Sequence, residues 1–146
     1  MVDTAKAVGK DLSISTKNAI EICSFIRGKS LQKAKEILQK VIEKKQAIPF
    51  KRFTEGAGHK KGMSGGKFPI KACMEILKIV ELAEANASYK GLNTDDLILK
   101  HIKADKASTP IKYGRHRGRL MKRTHVEIIV EEMEKKVKTE KESKQK

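Results

Sequence analysis

The chain has 146 residues, of which 38% are hydrophobic and 35% are charged, and its formal net charge is +15. This length fits about one domain of ordinary size. The hydrophobic fraction suffices for a modest core, but 4% aromatic residues and no tryptophan disfavour a large aromatic-lined pocket for a small molecule. Because so large an excess of positive charge repels itself in the folded state, a polyanionic partner is expected, and nucleic acid is the leading candidate.

The amino-terminal stretch MVDTAKAVGK has no apolar signal core followed by a cleavage site. An anionic membrane surface is an alternative polyanion, but no stretch approaches the ~18 apolar residues of a membrane-spanning helix. Cys23 and Cys73 both lie in helix-like apolar patterns. We therefore expect two reduced thiols in the core and a cytosolic protein.

The amino-terminal third predicts a short strand and two helices. Polar and apolar side chains alternate over residues 11–15, as in a strand. Ser15 or Thr16 is then a suitable N-cap for a helix over about 17–27. Ser30 is the N-cap of a second helix over about 31–45, whose apolar residues form one stripe while lysine and glutamine fill the other face.

Periodicity then disappears between residues 46 and 68, a segment with five glycines and many lysines that we call the basic loop. A loop of this length inside a compact domain is usually functional or disordered. The longest helix follows, with Pro69 in its first turn and Gly91 at its end. Its apolar residues recur every three or four positions, so all three helices need a shared partner to cover them.

That partner is predicted to be a sheet. Residues 96–104 are rich in leucine and isoleucine, and residues 124–130 place Val126, Ile128 and Val130 on one face. The segment between these strands is basic and contains bend-forming proline and glycine. The pattern indicates a hairpin over about 97–130 whose base packs on the helices and whose far end projects beyond the core.

Positive charge is concentrated in two segments. Residues 106–126 carry +7 with no acid, and residues 46–71 carry +5, which together is +12 of the total +15. A loop that serves only solubility would mix both signs, whereas arginine suits bidentate phosphate contacts and stacking on bases. The residues that these clusters predict to contact nucleic acid are His59, Lys60, Lys61, Lys67, Lys112, Tyr113, Arg115, His116, Arg117, Arg119, Lys122 and Arg123.

Other kinds of site are disfavoured. Residues 62–68 resemble the end of a nucleotide-binding loop, but the glycine spacing is too short and Phe68 stands where Ser or Thr would bind magnesium. The four histidines show no metal-ligand spacing, and His101 and His125 are expected to face each other across the hairpin base. No acid pair and no nucleophile–histidine set stands out, so we predict no catalytic residue, metal or cofactor.

Two further functions stay open at this point. The helices over 17–27 and 31–45, joined by a short RGKS connection, permit a DNA-binding helix-turn-helix. Against it, the second helix offers mostly Lys, Glu and Gln, and the hairpin would have no purpose. An enzyme of RNA metabolism would need a carboxylate or metal site that the sequence does not show.

Several blocks of the sequence, in order, resemble one family. They are SISTKNAIEICSFIRGKSLQKAKEIL, IPFKRF, GAGHKKG, GKFPIKACMEIL, EANASYKGL, RHRGRL and THVEIIVEE. The family is the universal large-subunit ribosomal protein numbered twenty-two in bacteria and seventeen in eukaryotes, and the Gly-rich insertion resembles its archaeal and eukaryotic branch. The stretch from Gly118 to His125 is several residues shorter than the family pattern.

The resemblance implies an α+β fold, with three helices packed on a small three-stranded antiparallel sheet and a long extended β-hairpin. It implies a structural, non-enzymatic protein of the cytoplasmic ribosome, which binds several domains of the large-subunit rRNA and supports assembly. The hairpin would line the polypeptide exit tunnel. Implied partners are the rRNA, neighbouring large-subunit ribosomal proteins and the nascent polypeptide near the hairpin tip.

The chain is expected to divide into a single RNA-binding domain over residues 1–132 and a tail over residues 133–146, which is highly charged but nearly neutral and is predicted to be a frayed helix or disordered. The resemblance also implies further binding residues. The RNA-binding positions that match the family are Lys17, Arg27, Lys29, Lys51, Arg52, His59, Lys60, Lys61, Arg115, Arg117 and Arg119.

Overall fold

A computed structural model describes residues 4–132. The helices and strands, in chain order, are β1 Thr4–Leu12, α1 Thr16–Ile26, α2 Leu31–Ile42, β2 Ile48–Pro49, β3 Gly58–Lys60, β4 Met63–Lys67, α3 Ile70–Tyr89, β5 Leu97–Lys106 and β6 Thr124–Glu132. Two antiparallel sheets form, a main sheet in the order β1–β6–β5 and a small sheet in the order β2–β4–β3. The predicted α+β class, with three helices on a three-stranded antiparallel sheet, is confirmed.

The helices cover one face of the main sheet. α1 packs against β5, α3 packs against β1 and β6, and α2 packs mainly on α3. In β6 the predicted alternation is confirmed, since Val126, Ile128 and Val130 are fully buried among the helices. Burying a side chain of this kind contributes roughly 1.5–3 kcal/mol. The apolar end of the basic segment is therefore fixed firmly in the core.

The helix boundaries follow local signals. Ser15 and Ser30 are the N-cap residues of α1 and α2, as the sequence predicts. α2 ends at Ile42, three residues before the predicted end, because Lys44 adopts a left-handed backbone with φ of 60°. The amide of Lys45 then donates to the carbonyl of Lys40, which closes the helix in the way that glycine usually does.

Two predictions about strands are wrong. The first strand is not residues 11–15 but Thr4–Leu12, and its buried face consists of Ala5 and Ala7, whose small side chains give a weak periodic signal. The basic loop is not devoid of regular structure, because residues 48–67 contain the small sheet. Its strands are only two to five residues long, and β3 and β4 contain glycine, so no alternation marks them.

Close packing explains one glycine of the small sheet. A Cβ atom on Gly66 would lie 2.6 Å from the sulfur of Met63 and 3.0 Å from Cγ of Lys60. A side chain at this position would therefore displace neighbours within the same small sheet. Glycine at position 66 thus lets the side chains of Met63 and Lys60 lie close against this strand.

β5 and β6 are joined by residues 107–123, which we call the hairpin connection. Pairing continues beyond the strands, since the amide of Ala107 donates to Arg123 at 3.1 Å and an isolated bridge joins Ile111 and Leu120. Every residue from 111 to 120 is exposed. This stretch is therefore not packed against the helices. That it forms part of a long extended hairpin remains a prediction.

The expected pairing of two histidines is wrong. A register shift after Leu99 places His101 opposite Ile129, and His125 opposite Asp105. The Nδ1 atom of His125 accepts a hydrogen bond from the amide of Asp11 at 3.1 Å. The charged tail predicted for residues 133–146 lies outside the described residues.

Both cysteines are buried in the hydrophobic cluster, unpaired, as predicted. Burial raises the pKa of each thiol from 9.0 to about 12. At pH 8 a thiol with such a pKa is ionised to roughly one part in ten thousand, and the thiolate is the reactive form.

We therefore expect that iodoacetamide at pH 8 does not label Cys23 or Cys73 in the folded protein, but labels both in guanidinium chloride. Mass spectrometry of the intact chain counts the labels. Labelling of the folded protein at the rate of an unfolded control would contradict the burial of the thiols.

The exposure of the hairpin connection predicts where proteases cut first. Trypsin needs a locally opened backbone after lysine or arginine, and such opening is easiest where few contacts hold the chain. Among the described residues, we expect the first cuts after Arg115, Arg117 or Arg119, before any cut in α1, α2 or α3. Early cuts within the helices of the intact chain would contradict this expectation.

Candidate nucleic-acid interface

Three of the five lysines of the main sheet are paired with carboxylates of the sheet itself. On the face away from the helices, Lys6 and Lys103 both pair with Glu127, and Lys100 pairs with Glu131. Lys6 and then Lys103 hold the pKa of the Glu127 carboxyl below its ordinary value. Exposed ion pairs of this kind contribute little to stability, but they offset much of the positive charge of these three lysines.

Five of the six cations of the hairpin connection have no such partner. Within residues 4–132 no ion pair involves Lys112, Arg115, Arg117, Arg119 or Lys122, and Arg123 lies 4.0 Å from Asp11. Tyr113 is 91% exposed, and His116 lies in a short 3-10 turn that is exposed as well. The structure therefore places all eight residues predicted for this segment in the hairpin connection or at its end, and all of them except the half-buried Arg123 are exposed.

The basic loop is held by a carboxylate that sequence reasoning missed. Glu21 on α1 is only 4% exposed. Its carboxylate accepts hydrogen bonds from the backbone amides of Lys51 at 3.2 Å, Arg52 at 2.7 Å and Phe53 at 2.7 Å. Such charge-assisted bonds offset the cost of burying the carboxylate, while the side chains of Lys51 and Arg52 stay exposed.

No periodic pattern could have identified Glu21. With 3.6 residues per turn it lies on the side of α1 opposite Ala19 and Cys23, where a polar residue normally faces water. It is buried because the basic loop covers it. The sequence gives only an indirect indication that this side of α1 matters: Lys17, a predicted RNA-binding residue, lies on the same side as Glu21.

Aromatic rings position the cations of the basic loop. The ring of Phe53 lies 5.7 Å from the Lys17 ammonium and 5.3 Å from the Arg52 guanidinium, and Lys17 also lies 3.5 Å from the Glu55 carboxylate. Lys60 lies 5.5 Å from the ring of Phe68. These cation–π contacts fix the charges while keeping them at the surface.

The remaining predicted residues of the loop differ in their exposure and in their contacts within the protein. Lys67 is half-buried, lies over the ring of Phe50 and donates a 2.6 Å hydrogen bond to the carbonyl of Glu55. Lys67 therefore has a structural role within the loop. His59 and Lys61 are exposed at the tip of the small sheet.

Arg27 and Lys29 lie apart from Lys17, beyond the other end of α1. Arg27 donates through Nη2 to the carbonyl of Ile102 at 2.9 Å, and the ammonium of Lys29 lies over the ring of Phe25. Arg27 thus covers the outer edge of β5, which would otherwise expose an unpaired carbonyl. One of its five donors is used, so the rest of the guanidinium can still contact an anion.

The hairpin connection and the basic loop approach each other at the amino terminus of α1. Thr124, at the start of β6, shares a 2.8 Å hydrogen bond with Thr16, and the basic loop reaches Lys17 through Phe53. A cleft of about 400 Å³ opens beside this point. The cleft is lined by Ser13, Ile14, Ser15, Asn18, Pro69, Ile70, Lys71, Ala72 and Lys122.

The electrostatics of this cleft favour an anion. It lies at the amino termini of α1 and α3, where backbone dipoles add partial positive charge and neither first turn carries an acid. Lys71 and Lys122 line it, and neither has an ion pair within residues 4–132. The cleft therefore continues the positive surface between the two clusters.

The described residues also bear on the alternatives. Between residues 4 and 132, no group of three or more His, Cys, Asp or Glu is placed to hold a metal ion, and no helix there is both long and apolar enough to cross a bilayer. Three lysines on or just after α2 pair with glutamates, namely Lys35, Lys40 and Lys45. The surface of α2 thus lacks the concentration of unpaired cations expected of a DNA-recognition helix.

Comparisons with known proteins agree on one family. The family model described as ribosomal protein L22p/L17e matches residues 7–131. The large ribosomal subunit protein uL22 of Methanopyrus kandleri is 46% identical over 88% of this chain and 87% of its own length. The corresponding proteins of Methanococcus aeolicus and Thermoplasma acidophilum are 45% and 40% identical, with 88% of this chain covered in each case.

These relatives are archaeal, which agrees with the branch that the Gly-rich insertion resembles. Proteins of this family are structural, non-enzymatic components of the cytoplasmic ribosome. The family model spans both sheets, all three helices and the hairpin connection, so the match does not depend on one motif. The chain belongs to the ribosomal protein L22p/L17e family.

Proposed function

We propose that the chain is a structural constituent of the large ribosomal subunit and binds large-subunit rRNA through the hairpin connection and the basic loop. One observation carries the proposal. Three lysines of the main sheet, Lys6, Lys100 and Lys103, are paired with glutamates, whereas the cations of the hairpin connection from Lys112 to Lys122 have no ion pair within residues 4–132. Charge left unneutralised on an exposed segment is suited to the closely spaced phosphates of a folded RNA.

The two clusters are proposed to contact different stretches of RNA. The basic loop and the end of the hairpin connection both lie near the amino terminus of α1, and the cleft with Lys71 and Lys122 opens there. A single hydrophobic cluster includes residues of all three helices and of both sheets, which supports residues 1–132 acting as one RNA-binding domain. Holding separate RNA segments in a fixed relation would support assembly of the subunit.

The hairpin connection is further proposed to line the polypeptide exit tunnel and to meet the nascent polypeptide near its tip. Ten consecutive exposed residues, 111–120, including Tyr113, support a role in which this segment touches other molecules and not its own core. Neighbouring large-subunit ribosomal proteins are the other proposed partners.

The charge model predicts the salt dependence of binding. If the two clusters contact about six phosphates, the logarithm of the affinity for large-subunit rRNA falls with the logarithm of salt concentration at a slope of roughly −4 to −5. Replacing Arg115, Arg117 and Arg119 together by Gln removes three contacts, so the slope becomes shallower by about 2 to 3. Filter binding at several salt concentrations measures both slopes.

The matched control replaces Lys6, Lys100 and Lys103 by Gln, which lowers the net charge by the same three units. Because these lysines are paired on the main sheet, the control is expected to keep a slope close to that of the unmodified protein. Equal losses in both triple variants would show that net charge alone governs binding and would contradict the proposed interface. Duplex DNA competing as well as folded rRNA would favour the DNA-binding alternative.

A further inference from the structure

The basic loop and α1 depend on each other through one buried carboxylate. Glu21 is 4% exposed and accepts three backbone hydrogen bonds, from Lys51, Arg52 and Phe53. A buried carboxylate without such donors would cost free energy of folding, so the loop must be in place for Glu21 to be tolerated. Conversely, these bonds fix the loop backbone at the residues that carry two of its cations.

A second contact adds a cation from α1 to the same place. The Lys17 ammonium and the Arg52 guanidinium lie 5.7 Å and 5.3 Å from the centre of the Phe53 ring, so the two charges are at most about 11 Å apart. Phe53 itself is held by Glu21 through its amide. We name Lys17, Lys51 and Arg52 the cation patch. Lys17 also lies 3.5 Å from the Glu55 carboxylate, and because this ion pair is exposed it is weak enough for a phosphate to replace.

We propose that Glu21 is a positioning residue for RNA binding, and that it preforms the cation patch as a phosphate-binding site before RNA arrives. This inference rests on the proposed rRNA binding and adds a residue that never touches the RNA. The cation patch differs from the hairpin connection, whose residues 111–120 are all exposed. A preformed site loses less conformational entropy on binding than a segment that must first become ordered.

The substitution Glu21→Gln distinguishes this inference from simple electrostatics, because the two predict opposite changes in rRNA affinity. Glu21→Gln raises the net charge by one, so simple electrostatics predicts tighter binding to rRNA. Gln cannot accept all three amides, because its NH₂ group is a donor. The inference therefore predicts weaker binding, on the order of fivefold to tenfold. It also predicts a salt slope that is shallower by about one to two, since the patch loses ordered phosphate contacts.

The matched control is Glu81→Gln, an equal charge change on the exposed face of α3. It is expected to leave affinity unchanged or slightly higher. A double-mutant cycle then tests the route of the effect. In a background of Lys51→Gln and Arg52→Gln, adding Glu21→Gln should cause little further loss, because the side chains that it positions are already gone.

Amide hydrogen exchange in the unmodified, RNA-free protein provides a readout that does not require a stable variant. Protection of the amides of Lys51, Arg52 and Phe53 supports a preformed patch, and exchange at the rate of an unstructured loop overturns it. The inference also fails if Glu21→Gln binds as well as Glu81→Gln, or if its effect adds fully to that of the two cation substitutions. In those cases, reduced rRNA affinity of the variant with Arg115, Arg117 and Arg119 replaced by Gln would still support the proposed rRNA binding.

Discussion

The placement of a few carboxylates determines where this strongly basic chain keeps its positive charge. Glu127 and Glu131 neutralise lysines of the main sheet, and Glu21 is buried beneath the basic loop. No acid lies between residues 106 and 126. Since like charges repel, the unneutralised cations are tolerated only on segments that extend into solvent or are fixed by specific contacts. The positive surface is thus a consequence of where acids are absent.

The apolar core anchors the segment that carries this positive charge. Residues 109–130 begin with dense positive charge and end with alternating valine and isoleucine, and the structure assigns the two halves different tasks. Val126, Ile128 and Val130 are buried under the helices, while residues 111–120 contact no core. Each buried side chain contributes roughly 1.5–3 kcal/mol, so the strand end is secured by interactions that do not depend on salt. The basic end remains available to a polyanion.

The sequence predicts those features that arise from periodicity or local capping. The stripes of α1, α2 and α3, the caps Ser15 and Ser30, and the alternation of β6 all follow from rules that act within a few residues. The small sheet was not predictable, because its strands are only two to five residues long and show no alternation of polar and apolar residues. The role of Glu21 was not predictable either, because its burial depends on a loop some thirty residues away. Likewise, Arg27 gives no sequence signal for its bond to the edge of β5.

Lysine acylation in the free and the rRNA-bound protein, read by mass spectrometry, tests most directly whether unpaired cations form the interface. For each lysine the ratio of reactivity in the two states removes its intrinsic reactivity from the comparison. The account predicts that rRNA protects Lys51, Lys61, Lys112 and Lys122 and leaves the ratio near one at the paired lysines Lys6, Lys100 and Lys103. Protection of the sheet lysines equal to that of the hairpin and loop lysines would contradict the account.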